Sequence, residues 1–235
     1  MLAARPESDA ALAVTAVALH GQAPARWQTA RMASVLIIDL DGVVRNWDAG
    51  VARAAEQRHG LPAGCIQQEA FAGAALAAAI TGEVTDEQWR SGIAASLAGA
   101  YGPGAVRAVE EWSESCGSVN LAVLDLVRQQ RRIRRVALLS NATTRLADDL
   151  ARLGLDKEFD AVFNSSTLGS AKPDEETFRA VLDALGASPS DCLFVDDTEG
   201  HVAAAAALGL HAHQFQSETE LEAFLLRHSV PPSAQ

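Results

Sequence analysis

Four aspartates in two short groups are the residues of this sequence best suited to chemistry. Asp39 and Asp41 are separated by one residue and followed by Gly42, while Asp196 and Asp197 are adjacent. Carboxylates that converge on one place repel one another unless a cation neutralises them, and all-oxygen ligands select a hard ion, most simply Mg²⁺. Because Gly42 lets the chain turn sharply, both acids beside it can point into the same space. The two groups therefore predict a magnesium site.

A second set of residues is suited to binding an anion. Ser140 and Asn141 stand just before a helical pattern, where a hydroxyl and free backbone amides form an anion site. Lys172 precedes Pro173, which we expect to open a helix, so the lysine lies at the end of a loop as a fixed positive charge. Acids, a metal, a hydroxyl, an amide and a lysine are the parts that phosphoryl transfer needs.

Each motif also has a simpler interpretation. Asp-x-Asp-Gly is often only a turn or a calcium loop, and Ser-Asn after a strand usually caps a helix. Lys-Pro and Asp-Asp are common in solvated loops and on surfaces. The joint interpretation is favoured by the order of the motifs and by their shared position relative to predicted strands.

Apolar runs predict the strands that would position these residues. Continuous apolar segments are typical of strands buried on both faces of a parallel sheet. Four such runs are Val35–Ile38, Val136–Leu139, Ala161–Phe163 and Cys192–Val195, and a weaker one is His211–Phe215. Helical patterns over 144–153, 174–185 and 199–208 alternate with them, each ended by a glycine. This alternation predicts a doubly wound, parallel α/β sheet, whose carboxyl edge binds ligands.

One stretch breaks the alternation. Residues 51–112 contain no convincing strand, and about 60 residues is too long for a simple crossover, so they predict an inserted helical domain. We therefore divide the chain into a core of residues 33–50 and 114–235, a helical insertion of residues 51–113, and an N-terminal extension of residues 1–32 with no identified role. Met32 stands directly before the first strand, which leaves open whether the chain starts there.

Composition narrows the classes of partner. The 235 residues are 49% hydrophobic and 21% charged, as in soluble globular proteins. The formal charge of −11 argues against general nucleic-acid binding, and the arginines of residues 128–135 are interpreted as complementing a helix C-terminus. Three scattered cysteines favour a reducing compartment, and no apolar run approaches a membrane span. We expect a cytoplasmic protein without nucleic-acid or membrane partners, and the oligomeric state stays open.

Taken together, the motifs resemble those of the haloacid dehalogenase-like (HAD) hydrolase superfamily. The four family motifs match Asp39–Val43, Ser140-Asn141, Lys172-Pro173 and Asp196-Asp197, and the resemblance covers residues 34–215. The insertion is similar to the small helical cap of the superfamily's first subclass, and its segment Thr81–Trp89 resembles one in sugar-phosphatase-like members. The resemblance implies a Rossmann-like core with an α-helical cap.

The resemblance also implies roles for the acidic residues. Asp39 would be the nucleophile that forms an aspartyl-phosphate, and Asp41 the general acid. Mg²⁺ would be held by Asp39, Asp41 through its carbonyl, and Asp196, with Asp197 in support. Dehalogenases resemble this chain but lack the second acid, because a halide leaving group needs no proton.

The remaining motif residues would bind the phosphoryl group. By the family pattern these are Ser140, Asn141 and Lys172. His201 departs from the pattern, since many relatives place an asparagine there. The pattern therefore does not predict the contacts around Asp196 and Asp197, although the implied reaction is the same. Arg45, Trp47 and Trp89 are candidates for contact with the substrate, although a tryptophan in a cap more often belongs to its core.

These implications predict a Mg²⁺-dependent phosphatase acting on a small, sugar-phosphate-like metabolite. Two alternatives stay open. The first is a phosphomutase, because the Asp-Leu-Asp-Gly-Val-Val segment also resembles β-phosphoglucomutase. The second is a catalytically silent binding module on the same fold. The substrate itself is not given by the sequence, because the cap loops and not the fold determine it.

Overall fold

The computed structural model describes residues 33–229. Its strands are β1 (Val35–Ile38), β2 (Arg45–Asn46), β3 (Ser118–Val119), β4 (Arg135–Ser140), β5 (Ala161–Asn164), β6 (Cys192–Asp196) and β7 (His211–Gln214). Five of them form one parallel sheet in the order β5-β4-β1-β6-β7. This arrangement confirms the predicted α/β class and the doubly wound sheet.

Helices fill the connections between the strands. Five lie between β2 and β3, namely α1 (Ala49–Arg58), α2 (Cys65–Ala70), α3 (Gly73–Ile80), α4 (Asp86–Tyr101) and α5 (Gly104–Ser113). The others are α6 (Leu121–Gln130), α7 (Leu146–Arg152), α8 (Ser165–Leu168), α9 (Glu175–Leu185), α10 (Glu199–Ala207) and α11 (Glu218–Arg227). None of the helices within residues 33–229 is long and apolar enough to cross a membrane.

The central strand β1 is apolar throughout because helices cover both faces of the sheet. On one face Leu36 and Ile38 belong to a core that includes residues of α6, α7 and α11. On the other face Val35 and Ile37 pack with residues of α9 and α10. All four residues of β1 are at most 1% exposed, which explains why this strand shows no polar alternation.

Strand order reverses between β1 and β6. The chain runs from β1 to β4 and β5 on one side, and then returns to β6 and β7 on the other. Loops that leave β1 and β6 therefore diverge and open a crevice at the carboxyl edge. Asp39 and Asp196 stand at this crevice, and the Asp39 amide donates to the Val195 carbonyl at 2.9 Å.

The helical insertion has its own apolar core. Residues such as Ile66, Ile93 and Val109 form a cluster separate from the two clusters that cover the sheet. Thr85 begins α4 with a capping box, in which it exchanges hydrogen bonds with Gln88. The antiparallel pair β2–β3 joins the two ends of the insertion. This ribbon is absent from the expectations above, because strands of two residues have no periodic pattern.

A substitution in β4 tests the buried sheet. Leu138 is fully buried, whereas Leu226 is 65% exposed. We expect Leu138→Ala to lower the free energy of unfolding by about 2–5 kcal/mol, because it removes buried apolar area and leaves a cavity. Leu226→Ala is the matched control, with an expected change within about 0.5 kcal/mol. Urea denaturation measures both, and equal losses would contradict the buried position of β4.

Candidate active site

Lys172 lies at the centre of the crevice and is almost fully buried. Its Nζ is 2.8 Å from Oδ1 of Asp39 and 2.6 Å from Oδ2 of Asp196, and it donates to the Leu139 carbonyl at 3.0 Å. Burial lowers the pKa of Lys172, but the two carboxylates outweigh it and leave this pKa above its ordinary value. The lysine therefore stands as a fixed cation between two strand ends.

The two carboxylates beside Lys172 differ in their environments. Burial raises the pKa of Asp39 to about 7, with Lys172 acting against it and Asp196 adding to it. Burial would also raise the pKa of Asp196, but hydrogen bonds from His201 and the Thr198 amide, together with Lys172, hold that pKa below its ordinary value. The surroundings of the two carboxylates therefore shift their pKa values in opposite directions.

Oxygen atoms at this edge fit a hard cation. Ligand atoms of Asp39, Asp196 and Asp197 lie within 4.8 Å of one another, and no other group of three possible metal ligands occurs within residues 33–229. Gly42 makes room for them, since a Cβ there would lie 2.0 Å from Oδ2 of Asp197, and its φ of +79° suits glycine. These carboxylate donors match the ligands that Mg²⁺ prefers.

Ser140 ends β4 beside the lysine, and Asn141 follows it in the loop. The Ser140 hydroxyl is buried and has no hydrogen-bond partner among the described residues, so it is available to a ligand. The Asn141 side chain instead binds the Lys172 main chain, with its Nδ2 2.7 Å from the carbonyl and its Oδ1 2.8 Å from the amide. Pro173 lies before α9 and does not open it, because Asp174 is the N-cap.

His201 contacts the acidic pair. Its Nδ1 lies 3.0 and 3.1 Å from the two carboxylate oxygens of Asp196. The departure from the family pattern therefore falls on a direct neighbour of a predicted metal ligand.

Asp41 does not face Lys172. Its carboxylate accepts hydrogen bonds from Nε and Nη2 of Arg45, at 2.6 and 2.9 Å, and from Nε1 of Trp47 at 2.6 Å. The Arg45 guanidinium also lies 4.4 Å from the centre of the Trp47 ring. Two side chains from the segment before α1 thus hold Asp41 where the crevice meets the insertion.

A charged network connects this clamp to the end of the insertion. Arg45 donates its Nη1 to the buried Asp149 at 3.0 Å, and Arg145 donates its Nε to the same carboxylate at 2.9 Å. Arg145 also donates to the carbonyls of Ser113 at 2.6 Å and Ser115 at 2.9 Å. This network was not predictable from the sequence, since an Arg-Asp pair four residues apart at the start of a helix is typical of exposed helix surfaces.

Two openings meet at Asp41. A shallow opening over the crevice includes six of the predicted site residues, and the seventh, Asp196, lies buried beneath it. The six are Asp39, Asp41, Ser140, Asn141, Lys172 and Asp197. A deeper cavity of about 270 Å³ lies between the insertion and the sheet edge and also borders Asp41. The four sequence motifs are therefore brought together at one place.

Parts of this chain are similar to parts of curated proteins. The phosphatase MT3486 of Mycobacterium tuberculosis is 41% identical over 54 residues, which are 23% of this chain and 25% of that protein. The GMP/IMP nucleotidase YrfG of Escherichia coli is 38% identical over 74 residues, which are 31% of this chain and 33% of that protein. The chain thus matches a third or less of the length of these two curated relatives.

A solved structure shows the same fold. An enzyme of the HAD family from Bacteroides thetaiotaomicron, in complex with magnesium and inorganic phosphate, gives a TM-score of 0.65 at 23% identity. The likeness covers 78% of this chain and 94% of that one. A family model described as haloacid dehalogenase-like hydrolase matches residues 33–209, which is more than half of the chain and contains all four motifs. The chain therefore belongs to the haloacid dehalogenase-like hydrolases.

Proposed function

We propose that the chain is a Mg²⁺-dependent phosphatase that hydrolyses a small phosphorylated metabolite through an aspartyl-phosphate on Asp39. The observation that carries the proposal is the buried Lys172, which bridges Asp39 and Asp196 beside the unpartnered hydroxyl of Ser140. A nucleophile, a fixed cation and a free donor at one sheet edge suit phosphoryl transfer. The phosphatase and nucleotidase among the relatives support the same class of reaction.

Asp39, Asp196 and the Asp41 carbonyl would hold Mg²⁺, with Asp197 in support. When bound, this ion supplies positive charge that neutralises the phosphoryl oxygens. The carboxylates of Asp39, Asp196 and Asp197 fit Mg²⁺, because all of their donor atoms are oxygens.

The proposed reaction has two steps. In the first, an oxygen of Asp39 bonds to phosphorus, the bond from phosphorus to the ester oxygen breaks, and Asp41 gives that oxygen its proton. In the second, water attacks phosphorus, Asp41 takes the proton of the water, and Asp39 leaves with the electron pair of its bond to phosphorus. Inorganic phosphate and the alcohol are the products, and Lys172 and Ser140 hold the phosphoryl oxygens throughout.

Asp41 has to exchange a contact in this scheme. Its carboxylate is occupied by N–H donors of Arg45 and Trp47, so the ester oxygen must displace one of them. We further propose that residues 51–113 form the cap over the site, and that residues 33–50 and 114–235 form the core.

Phosphate release from a panel of phosphorylated metabolites tests the proposal. We expect turnover that EDTA lowers at least about a hundredfold and that added Mg²⁺ restores, because the acidic cluster needs a cation. A hexose 1-phosphate distinguishes a phosphatase from a phosphomutase. A phosphomutase converts it to an isomeric sugar phosphate, whereas a phosphatase releases free phosphate. Absence of turnover across the panel with Mg²⁺ present would favour the silent binding module and contradict the proposal.

A further inference from the structure

The cavity beside Asp41 has unusual walls. Three of the four tryptophans of the chain, Trp47, Trp89 and Trp112, line it together with Phe71. Aromatic residues make up only 5% of the sequence, so four of them at one cavity are a high local concentration. Trp47 and Phe71 remain 48% and 62% exposed, which leaves large apolar area open to a ligand.

The charged groups that line the cavity already have hydrogen-bond partners within the protein. Nε of Arg90 lies 2.6 Å from Oδ2 of Asp86, and the hydroxyl of Thr143 donates to Oδ1 of the same carboxylate at 2.7 Å. The Arg90 guanidinium also lies 4.9 Å from the centre of the Trp112 ring. Asp48 accepts from the Gly50 amide. A ligand hydroxyl that meets Arg90, Asp86 or Thr143 would have to break one of these hydrogen bonds.

The cavity is joined to the phosphoryl site. Asp41, Trp47 and Asn141 border both the cavity and the shallow opening that contains Lys172. An ester oxygen at Asp41 therefore places the phosphoryl group on one side and the organic group on the other. The volume of about 270 Å³ is below the ~300–1,000 Å³ of pockets for drug-sized ligands. The organic group is accordingly small.

We infer that this cavity binds the alcohol part of the substrate, and that this alcohol is compact and mainly apolar, of the size of a single aromatic ring. The inference rests on the proposed phosphatase function and departs from the sugar-phosphate-like substrate that the family resemblance implies. Aromatic walls with paired charges bind an apolar ring, whereas a sugar needs free donors and acceptors.

Two esters of primary alcohols test the inference. We expect kcat/KM for 2-phenylethyl phosphate to exceed that for glucose 6-phosphate at least about tenfold, since both alkoxides are poor leaving groups and differ mainly in polarity. Acetyl phosphate, which has no alcohol part, tests the chemistry alone. If none of the three is hydrolysed with Mg²⁺ present, the proposed function fails. If glucose 6-phosphate matches or exceeds 2-phenylethyl phosphate, the function stands and the inference is overturned.

Variants assign the preference to the cavity. Phe71→Ala is expected to reduce the ratio of the two kcat/KM values at least about fivefold, because it removes one apolar wall. Tyr101→Ala is the matched control, since Tyr101 is also an exposed aromatic residue, 51% exposed, and does not line the cavity. An unchanged ratio in Phe71→Ala, or an equal reduction in Tyr101→Ala, would overturn the inference.

Binding of the free alcohol gives a readout that needs no turnover. Titration with 2-phenylethanol should change the tryptophan fluorescence of the protein saturably, because three indoles line the cavity. Glucose at equal concentration should not, and Phe71→Ala should shift the midpoint to a higher concentration. A response to glucose equal to that for 2-phenylethanol, or no saturable response to 2-phenylethanol, would overturn the inference even for an inactive protein.

Discussion

Asp39→Asn should lower the rate of phosphate release at least about a hundredfold while the protein stays folded. The amide cannot attack phosphorus, and it replaces a carboxylate that the proposed metal needs. Asp39 also contacts Lys172 through Oδ1 at 2.8 Å, so the substitution changes the charge balance of the buried site. Steady-state phosphate release measures the loss, and far-UV circular dichroism with a melting curve verifies the fold.

Asp183→Asn is the matched control for this experiment. Asp183 lies in α9, is exposed, and belongs to neither opening of the site. Its substitution should leave the rate within about twofold. An Asp39→Asn protein that keeps more than about a hundredth of the wild-type rate would refute the nucleophile assignment.

Asp41→Asn should affect substrates according to their leaving groups. General acid catalysis contributes about 10²–10⁴-fold, and it matters most for a basic alkoxide. We therefore expect a loss of at least about a hundredfold on an alkyl phosphate and a loss below about tenfold on 4-nitrophenyl phosphate. Comparison of kcat/KM for the two esters measures the difference.

The control for this second substitution is Asp125→Asn, because the Asp125 side chain is 70% exposed in α6. It should change neither ester. Equal losses on both esters in Asp41→Asn would mean that Asp41 only shapes the site together with Arg45 and Trp47.

The sheet was predictable because its strands are buried on both faces. Leu36 and Ile37 point to opposite sides and are equally apolar, so the run itself identifies the strand. The ribbon β2–β3 was not predictable, since each strand has two residues and no apolar pattern.

The long-range contacts of residues 128–135 were also not predictable from the sequence. Arg134 is buried and donates to the carbonyls of Ala33 and His228, where the sequence suggested only a helix dipole effect.

The positions of the motif residues were predictable, but their orientations were not. Strand ends bring Asp39, Ser140 and Asp196 to one edge whatever their rotamers are. The Asp41 side chain, by contrast, is directed by Arg45, whose own position depends on Asp149, more than a hundred residues away. No local pattern encodes that dependence, because the partner lies on another element of the core.

The ribbon β2–β3 has a consequence for how such a protein changes over evolution. It pairs Arg45 with Val119 and Asn46 with Ser118, so the chain leaves the sheet and returns to it at neighbouring points. A recombination event that replaces residues 47–117 therefore joins ends that are already adjacent, and it moves no strand of the sheet. We expect exchange of this segment to change the proposed substrate selectivity while the sheet edge is retained, provided that the new segment again supplies an N–H donor to Asp41 near its start and carbonyls to Arg145 near its end.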